Sequence, residues 1–147
     1  MPAANFKGRF ASLVLNQSKR TTIRPGARFK VGDAFMGYFG MRTKRCVLLV
    51  EGTVLHADAI VVYPAAVSVL GALLSDAQLA AVAEADGFGS VLEFLNFFML
   101  TYDTGKVPLV GQLVGWSPVA VEGSELRRRL KALSRALAGL PAKGTRS

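Results

Sequence analysis

The chain has 147 residues, 51% of them hydrophobic, and a formal net charge of +8. That apolar content suits one packed core and excludes a disordered chain, while the longest uncharged stretch, 59–74, is broken by Pro64 and Gly71 and is too short to span a membrane as a helix. A single Cys46 and a single His56 exclude an internal disulfide and a cysteine or histidine metal cluster, so neither metal nor cofactor is expected.

Residues 1–17 carry Lys7 and Arg9 but only a brief apolar run, too short for a signal-peptide core, so a cytoplasmic location is expected with no membrane partner. Charge is sharply segregated. Residues 1–45 hold ten bases against Asp33 alone, a net of +9; residues 46–123 reverse to −7; the remainder returns to +6. This asymmetry favours a polyanionic partner, unless the basic and acidic parts neutralise each other in the fold.

In chain order, the apolar run 10–15 reads as a strand entering a turn at Asn16-Gln17-Ser18. The basic segment Lys19-Arg20-Thr21-Thr22-Ile23-Arg24 follows, closed by the turn dipeptide Pro25-Gly26. Val31-Gly32-Asp33 is a second turn before a strand over 34–39. The aliphatic run 46–55 predicts a strand bending near Gly52, and 59–63 and 66–70 continue the strand pattern around Pro64. Ser75-Asp76-Ala77-Gln78 matches a capping box opening a helix to about 84, ended by Asp86-Gly87-Phe88-Gly89. Ser90 with Glu93 opens a second helix to about 101, with Val91, Phe94, Leu95, Phe98 and Met99 as core. Residues 109–116 read as a closing strand, Gly111 and Gly115 permitting its bends and Trp116 joining the core.

The tail, 119–147, predicts a basic amphipathic helix over 124–140. Leu126, Leu130, Leu133, Leu137 and Leu140 share one stripe, and Gly139-Leu140-Pro141 is a stop. Such a helix lies on the barrel with a solvated basic face or reaches out as a nucleic-acid-binding arm. The whole is an α+β chain: a small β-barrel of five to six strands with two helices over 7–118, then the tail.

Tyr38 and Phe39 precede Arg42, Lys44 and Arg45. Such bases meet phosphates and such aromatics stack bases, although a charged hairpin with both aromatics in the core is the alternative. Arg42 and Lys44 would share a strand face. Lys19 and Thr22 would face opposite ways on a regular strand, so joint action needs a turn between them. Read without chemistry, Lys19 is solvated, Thr22 is a strand residue and Asp86 caps a helix.

The ordered combination of Lys19-Arg20-Thr21-Thr22-Ile23-Arg24, Val31-Gly32-Asp33, Tyr38-Phe39-Gly40-Met41-Arg42-Thr43-Lys44-Arg45-Cys46 and Asp86-Gly87-Phe88 before a helix resembles the ASCH family of PUA-like domains. It looks most like the small bacterial and phage members, over about residues 9–116. The resemblance implies a PUA-like barrel with a cleft beside the basic segment, related to domains that bind RNA. Some members are amidohydrolases that remove an acyl group from the exocyclic amine of acetylated cytidine.

By that resemblance Lys19 is the base, Thr22 the nucleophile and Asp86 the acid, with Glu84 the alternative; the active members carry glutamate where Asp86 most nearly matches. Arg20, Arg24, Tyr38, Arg42, Lys44 and Arg45 would line a surface for RNA or a modified nucleoside. A lysine serves as a base when burial or nearby cations leave it neutral, and a protonated acid can hand a proton to the departing amine. The expectation is thus a protein acting on nucleic acid or nucleotides, in its sharpest form an amidohydrolase. A non-catalytic RNA-binding module and, behind it, a ribonuclease are the alternatives.

Overall fold

The computed structural model describes residues 3–139. Among the described residues, seven strands and four helices form an α+β fold, with the mixed sheet curled into a half-barrel. The elements are β1 (Ala3–Phe6), α1 (Gly8–Leu15), β2 (Thr21–Pro25), β3 (Ala34–Phe39), β4 (Val47–Val62), β5 (Val67–Val69), β6 (Ala72–Leu73), α2 (Asp76–Ala85), α3 (Val91–Tyr102), β7 (Leu109–Pro118) and α4 (Gly123–Ala138).

The 16-residue β4 is the spine. Its first half pairs with β3 and its second half with β5, while β7 runs antiparallel along its other edge and carries β2 beyond. The expected break between residues 55 and 59 is absent because nothing there forces a turn; a bulge between Val54 and His56 absorbs the curvature instead. Residues 3–6, outside the expected span 7–118, form β1, which pairs in parallel with β3 and buries Phe6.

Residues 10–15 are helical, not the expected strand. Phe10, Ala11, Val14 and Leu15 are the buried positions, a one-and-four spacing that suits a helix face, and so short an apolar run fits either period. Residues 41–46 form a loop, so Arg42 and Lys44 do not share a strand face. Arg42 itself lies in the left-handed region at φ 66.

Both expected helix starts are present. Ser75 and Gln78 form the reciprocal capping box, and the Ser90 hydroxyl accepts the Glu93 amide. Phe94 and Phe98 are buried as expected, whereas Met99 is exposed. Phe35 and Trp116 stack at 4.6 Å in the core.

The tail helix α4 packs on α1 and β4 through a face that shares Leu133 and Leu137 with the expected leucine stripe but is rotated away from the rest of it. Leu133 and Ala136 are buried together with Arg129, while Leu126 and Leu130 stay exposed. Arg129 is admitted because it meets Glu125 Oε2 at 2.8 Å and Glu51 Oε1 at 3.4 Å. Leu140 and Pro141 lie outside the described residues. Among the described residues no helix is long and apolar enough to cross a membrane.

Candidate functional site

The site begins where α1 ends. Gln17 takes a left-handed conformation (φ 67), the chain reverses, and the Lys19 amide bonds back to the Leu13 carbonyl at 2.9 Å. The Arg20 amide then bonds to the Ala85 carbonyl at 2.7 Å, which ties this reversal to the last turn of α2. Lys19 lies just before β2, which starts at Thr21, and Lys19 and Thr22 line the same cavity.

Asp86 reaches that cavity from the opposite direction, as the C-cap of α2. Gly87 follows at φ 92, a conformation that costs a residue with a Cβ, and the Lys19 stem lies directly against it. Lys19 Nζ donates to the Asp86 carboxylate Oδ1 at 2.9 Å and to its backbone carbonyl at 2.7 Å. Lys19 is 3% exposed and Asp86 2%. Thr21, on the other face of β2 from Thr22, donates its hydroxyl to the same Oδ1 at 3.1 Å.

Burial dominates the electrostatics of this pair. It pulls the Lys19 ammonium below its ordinary range, against the attraction of Asp86, with Arg24 and Arg9 adding repulsion. It pushes the Asp86 carboxyl up, against Lys19, Thr21 and Arg24. The α2 C-terminus adds negative potential that favours the ammonium and disfavours the carboxylate. The Phe10 ring, 4.7 Å from Nζ, favours the ammonium as well. The net effect moves both groups toward their neutral forms.

Thr22 does not hydrogen-bond to Lys19. Its Oγ1 accepts from Arg24 Nε at 2.9 Å, which leaves the threonine proton free to point elsewhere. Arg24 Nη2 donates to the Asn5 carbonyl at 2.9 Å, and the guanidinium lies 5.1 Å from the Phe6 ring. Burial lowers the Arg24 pKa, yet a guanidinium keeps its charge.

The cavity encloses about 70 Å³, with Phe6, Phe10, Phe97, Phe98 and Tyr102 among its walls. That is room for roughly two water molecules or one group of acetyl size. Arrangement and size together suit proton transfer between a lysine and a carboxyl beside a fixed hydroxyl and a fixed cation.

Of the two candidate acids, only Asp86 enters the cavity. Glu84 has its side chain 81% exposed and faces Arg20 at 3.9 Å on the surface, outside hydrogen-bond reach. The difference is one of helix geometry: two residues apart at a helix end, the two side chains point to different sides. Arg24 is at the cavity, whereas Arg20, Arg42, Lys44 and Arg45 lie on the surface. Tyr38 is half-buried, paired across from Asn5 and Leu48 in the sheet, and Phe39 is in the core.

Sequence reasoning missed Asn5, Thr21 and the α3 aromatics Phe97 and Tyr102. The period-2 pattern of Thr21-Thr22-Ile23-Arg24 carried the signal for Thr21, since it places that hydroxyl opposite Thr22. Asn5 had no such signal, because its role arises from the parallel pairing of β1 with β3.

Among the described residues no three histidine, cysteine, aspartate or glutamate side chains come together as a metal site. No protein-family model matches the chain, and no curated protein or solved structure is significantly similar to it.

Proposed function

We propose that the chain is a PUA-like domain of ASCH type and that its cavity hydrolyses the acyl amide of an acylated cytidine, free or within RNA. The observation that carries this reading is the buried Lys19–Asp86 pair, driven toward neutrality in a cavity that Thr22 also lines. A buried acid–base pair of shifted pKa beside a nucleophile has the makings of an amide-cleaving site. The ordered motif around Lys19, Thr22 and Asp86 adds the resemblance, and the 2.9 Å contact means that an aspartate is long enough to meet this lysine.

The reaction draws on the neutral forms toward which burial moves both groups. With the acyl group in the cavity and the nucleobase at its mouth, neutral Lys19 takes the Thr22 hydroxyl proton as Oγ1 bonds to the carbonyl carbon. Arg24, already on Oγ1, is placed to stabilise the oxyanion. The C–N bond then breaks, and the departing amine takes its proton from the Asp86 carboxyl. The result is an acyl-threonine ester, an ammonium and a carboxylate.

Water completes the cycle. It attacks the ester and gives a proton to Asp86, while the leaving Thr22 oxygen recovers one from Lys19. Amide plus water becomes amine plus carboxylic acid, and the neutral pair is restored. Lys19 reaches Thr22 by rotation of its flexible stem, since resting-state hydrogen bonds of such sites are often incomplete.

The covalent step is tested by acid-quenching the protein with excess acetylated cytidine and measuring intact mass. The expected result is a transient acetyl adduct mapped to Thr22 and absent from Thr22→Val. An adduct on Lys19, or turnover by Thr22→Val at the wild-type rate, contradicts the assigned nucleophile.

A further inference from the structure

The surface formed by α4 and the loop 41–46 carries a second set of positive charges, remote in chemistry from the cavity. Arg127, Lys131 and Arg135 recur every fourth residue along α4 and are exposed. Each step advances about 6 Å along the axis, so the three cations form one line on the helix face turned away from the barrel. Where that line ends, a cleft of about 560 Å³ separates α4 from the loop, bordered by Lys44, Arg45 and Arg135 with Ala132, Ala136 and Val47 among its other walls. Among the described residues no carboxylate lines it.

The loop is built rather than slack. Arg45 donates through Nη1 to the Arg135 carbonyl at 3.2 Å, and the Thr43 hydroxyl bonds to the Gly40 carbonyl at 2.7 Å. The Met41 amide donates to Asn5 Oδ1 at 2.9 Å, which fastens the loop to a residue of the cavity wall. Arg42 is held in the left-handed region at φ 66, a strained conformation for an ordinary side chain that its surroundings must sustain. Among the described residues, none of Arg42, Lys44, Arg45, Arg127, Lys131 and Arg135 is in an ion pair.

We infer that α4 and the loop 41–46 form a track for the phosphodiester backbone of single-stranded nucleic acid. The evenly stepped, unpaired cations suit a chain of regularly spaced negative charges. The outward face of α4 carries those cations, while its exposed leucines, Leu126 and Leu130, lie at the border of the buried face. A helix that lies in a membrane interface instead turns an apolar face outward. The track is independent of the acyl chemistry, and it gives the basic tail a task the cavity does not explain.

The test uses the full chain and a labelled single-stranded RNA of about 12 nucleotides, within the usual site sizes, followed by anisotropy between about 50 and 200 mM salt. Wild type is expected to bind with affinity falling steeply with salt. The triple variant Arg127→Gln/Lys131→Gln/Arg135→Gln is expected to bind at least tenfold more weakly, with the salt slope reduced by about 2. Its thermal melt should match wild type, because these side chains are exposed. Equal binding by wild type and the triple variant, no binding by either, or tighter association with anionic lipid vesicles than with RNA at equal phosphate overturns the inference.

Discussion

Lys19 Nζ stands 2.9 Å from Asp86 Oδ1, with both side chains almost wholly removed from water. Removing one partner leaves a buried charge that the other no longer offsets. In Lys19→Met, Asp86 keeps the burial that raises its pKa and loses the cation that lowers it, so its folded value moves further above 3.8. A raised carboxyl pKa contributes stability that is present below the unfolded value and lost as pH rises through the folded one. The variant should therefore be close to wild type at about pH 4 and weaker by about 3 kcal/mol or more at about pH 8. Urea unfolding at the two pH values measures this; an equal loss at both contradicts it.

Replacing both partners removes the conflict. Lys19→Met/Asp86→Leu is expected to be at least as stable as wild type at neutral pH and inactive, since an apolar pair of similar volume often outperforms a buried ion pair. The comparison is a thermal melt of wild type, both single variants and the double. A double variant no more stable than either single shows that the pair is kept for structure.

Gly87→Ala should damage the site through the backbone. The residue sits at φ 92, and a methyl there would press on the Lys19 stem, 3.1 Å from its Cβ. The expected cost is about 1–2 kcal/mol, with loss of activity beyond what that destabilisation explains. Wild-type stability together with wild-type turnover would contradict the placement of Lys19 against this turn.

The docking of α4 depends on Arg129. Arg129→Met should lower hydrogen-exchange protection across α4 by about 1–2 kcal/mol, because the carboxylates left behind are partly hydrated. Arg128 and Arg129 hold the Glu125 pKa down at about 2, from 4.5. A depressed carboxyl pKa contributes stability present above the unfolded value and lost as pH falls toward the folded one, so α4 protection should decline between about 4.5 and about 2. Flat protection over that window contradicts the pairing.

Much of this arrangement was legible in the sequence, and the exceptions have physical causes. The Ser75 and Ser90 caps act within a few residues, so they could be read directly. The choice between Asp86 and Glu84 could not, because it depends on where a helix ends against a distant lysine. Residues 10–15 differ from the strand expectation because six residues, five of them apolar, satisfy either period, and the tail's buried face departs from the leucine stripe because Arg129 enters it only with Glu51, 78 positions away. The expected turn between Lys19 and Thr22 is not there: the chain reverses at residues 16–18, before Lys19, and both residues still line the cavity.

The most direct measurement is release of cytidine from acetylated cytidine by the purified full chain, compared with Lys19→Ala. Turnover by wild type and a fall of at least about 10³-fold in kcat/KM for the folded variant is the expected result. No turnover by wild type, or turnover unchanged by Lys19→Ala, contradicts the assignment of this cavity as the catalytic site.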